Sequence, residues 1–251
     1  MSKTKTQFFI GLLMFLSTGV FAQQNSEYIN ARATGEVKND MLNGKAEALM
    51  TDGSHYVGEW KDDKRNRYGK AKLKDGSTYE GFWKEDKRDG QGIYGFTNGD
   101  KYVGDFSENK MQGKGVFYYS SGNIYEGSFV NGLPHGFGTI KYANGESYTG
   151  EIVNARKNGF GTYTYSSTKI YRGAFVNDQR TGKGEMVLTN GNKYNGDFVN
   201  GKMTGVGILY QANGDIYQGS FLNGAFEGEG TYIFANGEKK KGIWEAGSLK
   251  S

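Results

Sequence analysis

Tyrosine recurs every 23 residues, at Tyr56, Tyr79, Tyr102, Tyr125, Tyr148, Tyr171, Tyr194 and Tyr217, without one insertion. Two positions after each stands a glycine: Gly58, Gly81, Gly104, Gly127, Gly150, Gly173, Gly196 and Gly219, with Gly35 before and Gly242 after in the same phase. Glycine fills 41 of 251 positions, so ten such coincidences arise by chance with probability on the order of 10⁻⁸. Two further on comes a large apolar residue: Trp60, Trp83, Phe106, Phe129, Ile152, Phe175, Phe198, Phe221 and Trp244. A unit this short cannot bury its own apolar face, so each must be covered by the next, and the chain is expected to build a one-dimensional array.

The second half of each unit carries a Gly-x-Gly pair, as at Gly90 and Gly92, Gly136 and Gly138, or Gly228 and Gly230, followed by apolar residues two and four positions later. Units end on turn dipeptides such as Asp75-Gly76, Asn98-Gly99, Asn144-Gly145 and Asn236-Gly237, which favour the positive φ of type I′ hairpin turns. Each unit therefore reads as one β-hairpin. Strand alternation puts Tyr125, Gly127 and Phe129 on one face, joined by Gly136 and Gly138 of the return strand. An aromatic ring is then expected over a neighbouring strand's glycine. Helix is excluded by the glycine content, collagen by the lone Pro134, and plain disorder by 37 aromatic residues (18 Tyr, 16 Phe, 3 Trp). The fold class is all-β: an elongated, twisted antiparallel sheet of consecutive hairpins, steadied by stacking of neighbour on neighbour.

Catalytic chemistry has little material. The chain has no cysteine, so thiolate metal sites, disulfides and cysteine nucleophiles are absent, and only His55 and His135 are histidines. Residues 90–95 match a dinucleotide-loop pattern, but inside a hairpin unit and not between strand and helix. Residues 196–202 imitate the start of a phosphate loop, yet Met203 stands where a magnesium-binding Ser or Thr belongs. Carboxylates in phase, such as Glu227 and Glu229, lack the sheltered site that a general acid needs. No catalytic, cofactor or metal site and no small-molecule substrate is expected.

Residues 1–22 carry Lys3 and Lys5, an apolar run from Phe8 to Leu16, and small residues at Val20 and Ala22 before Gln23. This is the order of a bacterial secretory signal peptide cleaved after Ala22, an uncleaved anchor being the rival reading, and the mature protein is expected in the periplasm, at the envelope or outside the cell. The formal charge of +4 loses two leader lysines and falls to +2, too weak a field to point to nucleic acid.

Residues 125–138, Tyr-Glu-Gly-Ser-Phe-Val-Asn-Gly-Leu-Pro-His-Gly-Phe-Gly, resemble the MORN (membrane occupation and recognition nexus) repeat. On that resemblance residues 23–32 are a short linker and 33–251 the array. It comprises a degenerate unit at 33–55, eight full units at 56–239 and a half unit at 240–251. Tyr56, Gly58, Trp60, Tyr79, Gly81, Trp83, Tyr125, Gly127, Phe129, Gly136, Gly138, Tyr148 and Gly150 hold the repeat's structural positions. Arg67 departs from the pattern in place of the first Gly-x-Gly glycine, and Thr168 in place of a turn glycine. The resemblance implies a binding module, phospholipid or protein being the ligands attributed to such arrays.

Two columns on the other face carry the functional expectation. Lys38, Lys61 and Lys84 occupy one position in successive units, with Lys70 and Lys72 on the same side by parity. These are the candidates for an anionic membrane surface, although Glu59 and Glu80 share the face. From Val130 the column turns apolar: Val130, Val153, Val176, Val199 and Leu222. In a chain of mean hydropathy −0.69 such a row either packs under the hairpin turns or meets a partner. The expected function is a non-catalytic scaffold binding a protein or itself. Membrane-surface binding is the alternative, and glycan binding through exposed aromatics a weaker one.

Overall fold

The structure, a computed structural model, describes residues 20–21, 28–33, 37–38 and 41–250. The expected leader lies outside the described residues except for Val20–Phe21, a two-residue strand that pairs with Arg32 and Ala33. Among the described residues there is no helix; 21 strands form one antiparallel sheet in which each pairs with the next along the chain. Val37–Lys38 and Met41–Leu42 make a separate two-stranded ribbon. The sheet is open, as the periodicity predicts, and at about 4.8 Å per strand its contour approaches about 95 Å.

Each unit is a hairpin of a seven- or eight-residue strand that opens around its tyrosine, such as Ser147–Val153, and a longer return strand, such as Arg156–Ser166. The register aligns glycine with glycine: Gly150 faces Gly138 on one side and Gly161 on the other. The same pairing continues unit after unit, so a file of glycines crosses the sheet from Gly58 to Gly242. The tyrosine ring lies flat over this file and covers the glycine of its own strand as well as that of the return strand. A Cβ on Gly161 would come within 2.5 Å of the Tyr148 ring, and one on Gly150 within 2.6 Å of its Oη. Sequence alternation placed the ring over a neighbour's glycine; the structure shows one ring using both.

Between the glycine and the apolar residue of each hairpin the register slips: Gly150 pairs with Gly161, but Ile152 pairs with Lys157. The return strand thus carries a bulge, which frees a carbonyl on the tyrosine strand, and the tyrosine hydroxyl donates to it. All eight tyrosines make this bond to residue i+3, at 2.8–3.1 Å, from Tyr56 to Glu59 and on to Tyr217 to Ser220. Burial of the phenols is complete in consequence, at 0–1% exposure. Their rings meet the large apolar residue of their own unit and of the next edge-on, as Tyr102 does with Phe106 at 5.1 Å and Phe129 at 4.8 Å. The core is this single zipper of rings. At Ile152 an aliphatic side chain replaces the ring.

The turns fall differently from the sequence expectation. Asn144-Gly145 and its equivalents are not type I′: Gly145 has φ +89°, while Asn144 stays out of the positive-φ region and its side chain accepts from the Glu146 amide at 3.0 Å. The N–H of Gly145 bonds the Tyr142 carbonyl at 3.0 Å and that of Tyr142 the Glu146 carbonyl at 2.9 Å, the pattern of a type I turn closed by a glycine bulge. The two-residue type I′ turns lie at the opposite end, at Asn131-Gly132 (φ 51° and 86°), Asn154-Ala155 (49° and 63°) and Asn177-Asp178 (47° and 73°). Arg67 takes φ 55°, the left-handed conformation that Gly90 or Gly136 holds at the same bulge, so the hairpin survives the substitution. At Thr168 the turn shortens, Ser166 pairing with Lys169 and its hydroxyl accepting from both the Thr168 and Lys169 amides.

Candidate interaction surfaces

The face opposite the tyrosines is built from the alternate residues of every strand. Val130, Val153, Val176, Val199 and Leu222 stand there at the strand ends beside the type I′ turns, 40–51% exposed. They pair with the first residue past the turn, Val130 with Leu133 and Val153 with Arg156. At that exposure the turns leave them open to solvent. The sheet surface beside this column holds residues that the sequence reading passed over: Phe137, Phe160 and Val206 are 61%, 62% and 60% exposed. All three are the middle residue of Gly-x-Gly, a position that is Gln91, Lys114, Lys183 or Glu229 in other units. That contrast was the available signal, since a side chain between two glycines of the buried face must point outward.

A trough of about 700 Å³ runs along this face, its floor the backbone of Gly104, Gly115, Gly127 and Gly138 and its walls side chains such as Val103, Val116, Lys114 and Phe137.

The basic candidates sit on the same face in earlier units. Lys61, Lys72 and Lys84 are exposed, and the side chain of Lys38 lies outside the described residues. Lys70 is engaged: its ammonium meets Glu80 at 2.9 Å, and the Tyr68 hydroxyl donates to the same carboxylate at 2.7 Å. These bonds raise the Lys70 pKa and lower that of Glu80. Nearby, Arg67 faces Glu59 at 3.5 Å and His55 faces Glu47 at 2.7 Å. Of these lysines, Lys70 is therefore compensated by Glu80. Among the described residues no group of three or more His, Cys, Asp or Glu side chains converges as metal ligands would, and no helix is long and apolar enough to cross a membrane.

On the tyrosine face the second residue of each return strand lies against successive rings. Arg65 lies 4.5 Å from the Trp83 ring and Arg88 4.7 Å from Tyr94, while Arg180 stacks at 5.5 Å on Tyr171 and 5.6 Å on Phe198. Burial pushes the Tyr125, Tyr171 and Tyr194 phenols up to about 12.

A file of glycine pairs under hydroxyl-anchored tyrosines defines a class of protein, the open array of stacked β-hairpins. Within that class the chain belongs to the MORN repeat family, whose sequence profile matches residues 56–78, 79–101, 102–124, 125–147, 148–168, 171–193, 194–216 and 217–239. No curated protein matches the chain in sequence. Among solved structures it is similar to the TCP10 domain of Danio rerio CPAP in complex with a peptide of STIL, at 11% identity and a TM-score of 0.49, over 80% of this chain and 90% of that one. The TCP domain of Drosophila melanogaster SAS-4, in complex with a proline-rich motif of Ana2, matches at 12% identity and a TM-score of 0.32, over 80% and 90%. Virginiamycin B lyase from Staphylococcus aureus matches at 11% identity and a TM-score of 0.16, over 83% and 73%.

Proposed function

We propose that the protein is a non-catalytic scaffold that binds a protein partner, or a second copy of itself, through the face opposite the tyrosines between Val130 and Leu222. One observation carries this: an unbroken column of five apolar residues stands 40–51% exposed across five successive units. Phe137 and Phe160 widen the column into a patch of the kind that marks interaction sites. Membership of the MORN family and an open sheet of stacked hairpins support a non-enzymatic role. The leader pattern supports a place in the envelope or outside the cell.

Replacing Val153 and Val176 together with Glu tests the reading. Exposed positions tolerate substitution within about 0.5 kcal/mol each, so the double variant melts within a few degrees of the parent. Self-association in sedimentation velocity, or capture of the envelope partner, is lost. A large drop in melting temperature would show the valines to be packed, and unchanged association would move the interface elsewhere. The membrane alternative has its own arm. Co-sedimentation with anionic vesicles is expected to be weak and insensitive to Lys61→Glu with Lys84→Glu, because Glu59 and Glu80 share that face and lower its net charge; strong binding abolished by that pair would reverse the choice.

A further inference from the structure

The zipper of rings has one defect, and two truncations coincide at it. Ile152 stands where the other units carry Phe or Trp, and Pro134, across the unit boundary, stands where others carry a longer side chain: Arg, Lys, Met or Phe. Pro134 and Ile152 line a half-enclosed cleft of about 190 Å³ on the tyrosine face, walled by the rings of Tyr119, Tyr125 and Tyr142 and closed at one side by Lys157. An engineered cavity of about 150 Å³ takes up benzene, so this volume suits one ring with a small substituent. Two units earlier the equivalent place holds Arg88, whose guanidinium lies 5.9 Å from Tyr79, 4.7 Å from Tyr94 and 5.7 Å from Phe106. A cavity of about 240 Å³ remains beside Arg88, whereas at Phe226, the same position four units on from Pro134, a ring stacks on Tyr217 at 3.7 Å, so the slot suits a flat guest.

Charge decides which flat guest. The Lys157 ammonium is 14% exposed and already bonds the Tyr142 hydroxyl at 3.2 Å and Asp178 at 3.2 Å. It repels a second cation, whereas its remaining N–H can donate to an acceptor, as it does to the Tyr142 phenol, and it favours the face of a ring. We propose that this cleft is a binding site for a single phenol-type ring, held between Tyr119 and Tyr142 with its oxygen at Lys157. The ring is carried either by a small molecule or by a tyrosine side chain of a partner. The site lies on the face opposite the valine column, so its loss and the loss of scaffold binding are separable.

The test is a titration of the full chain, methyl-labelled at isoleucine, with p-cresol. A saturable shift of the Ile152 and Ile140 methyls is expected, with Kd on the order of 1 mM for so small a ligand. Pro134→Phe, which copies Phe226 where it stacks on Tyr217 at 3.7 Å, fills the slot and weakens binding at least about tenfold. Should that variant fail to fold, Ile152→Phe restores the ring, keeps the fold and has the same effect. Lys157→Met weakens p-cresol but not toluene. A tyrosine-bearing peptide that binds tenfold or more tighter than p-cresol identifies a protein source, and equal affinities a small molecule. The absence of a saturable shift, an undiminished response in the filled variants, or methylguanidinium binding more tightly than p-cresol would overturn the assignment.

Discussion

The two glycines of each Gly-x-Gly pair are there for different reasons. The first, as Gly136 at φ +86°, adopts the left-handed conformation of the bulge; the second, as Gly138, gives up its side chain to the Tyr125 ring. The glycine two residues after tyrosine belongs with the second kind. At Gly150 a Cβ would stand 2.5 Å from the Gly161 Cα and 2.6 Å from the Phe160 carbonyl, both backbone atoms that cannot yield. Gly150→Val is therefore expected to cost about 3 kcal/mol or more and to lower the melting temperature sharply in calorimetry. Gly145, at φ +89° with nothing within 4 Å of a Cβ, sets the contrast. Gly145→Ala meets only backbone strain, about 1–2 kcal/mol, and a loss equal to that of Gly150→Val would show that the distinction is wrong.

At the scale of the hairpin, the type I′ turn, the bulge and the tyrosine hydroxyl bond form one device. The turn brings the strands together, the bulge bends the return strand, and the bend frees the carbonyl that the hydroxyl needs. Hairpins also hold one another at their ends. The Asp86 carboxylate accepts from the Arg65 amide at 2.9 Å one unit back, and Asn123 from the Ala143 amide at 2.9 Å one unit on. Some turns carry residues that suit them poorly. Ala155 sits at φ 63° in the second turn position, where Gly132 and Gly201 stand in other units. Ala155→Gly is expected to raise stability by about 1 kcal/mol, read as a higher denaturant midpoint with an unchanged slope, since it removes a left-handed alanine from a turn that is otherwise intact. A lower midpoint would mean that flexibility gained by the unfolded chain outweighs the strain.

Across the whole molecule the stability of each unit depends on its neighbours' rings, so the phenols respond together. In an unfolded chain a tyrosine ionises near pH 10; burial holds Tyr125, Tyr171 and Tyr194 un-ionised up to about 12. The unfolded state therefore binds fewer protons than the folded one between these values, and stability falls as pH rises. That contribution is complete below pH 10 and is lost on the way to pH 12. An alkaline unfolding transition is expected in this window, with tyrosinate absorbance at about 295 nm rising together with loss of the sheet signal. Tyrosinate appearing near pH 10 while the sheet remains intact would contradict the buried ring zipper.

How far the sequence carried depends on what kind of force acts. A strict period of 23 with tyrosine, glycine and an apolar residue in fixed phase admits hardly any structure but a stack of hairpins, because each unit must meet its neighbour in the same way. The outward valine column followed from parity alone. What parity could not supply was anything set by the bulge. A two-residue slip preserves which face a side chain occupies but moves turns, carbonyls and bends along the strand. Hence the type I′ turn was sought at Asn144-Gly145 and found at Asn131-Gly132, and the hydroxyl bond from Tyr148 to the Glu151 carbonyl was invisible. The cleft beside Pro134 needed still more. Residues 134 and 152 belong to different units, and only the stacked sheet sets their two missing side chains against one another. The period, a local and repeated constraint, determined the fold; the places where it lapses acquire meaning only from the neighbours that tertiary packing brings to them.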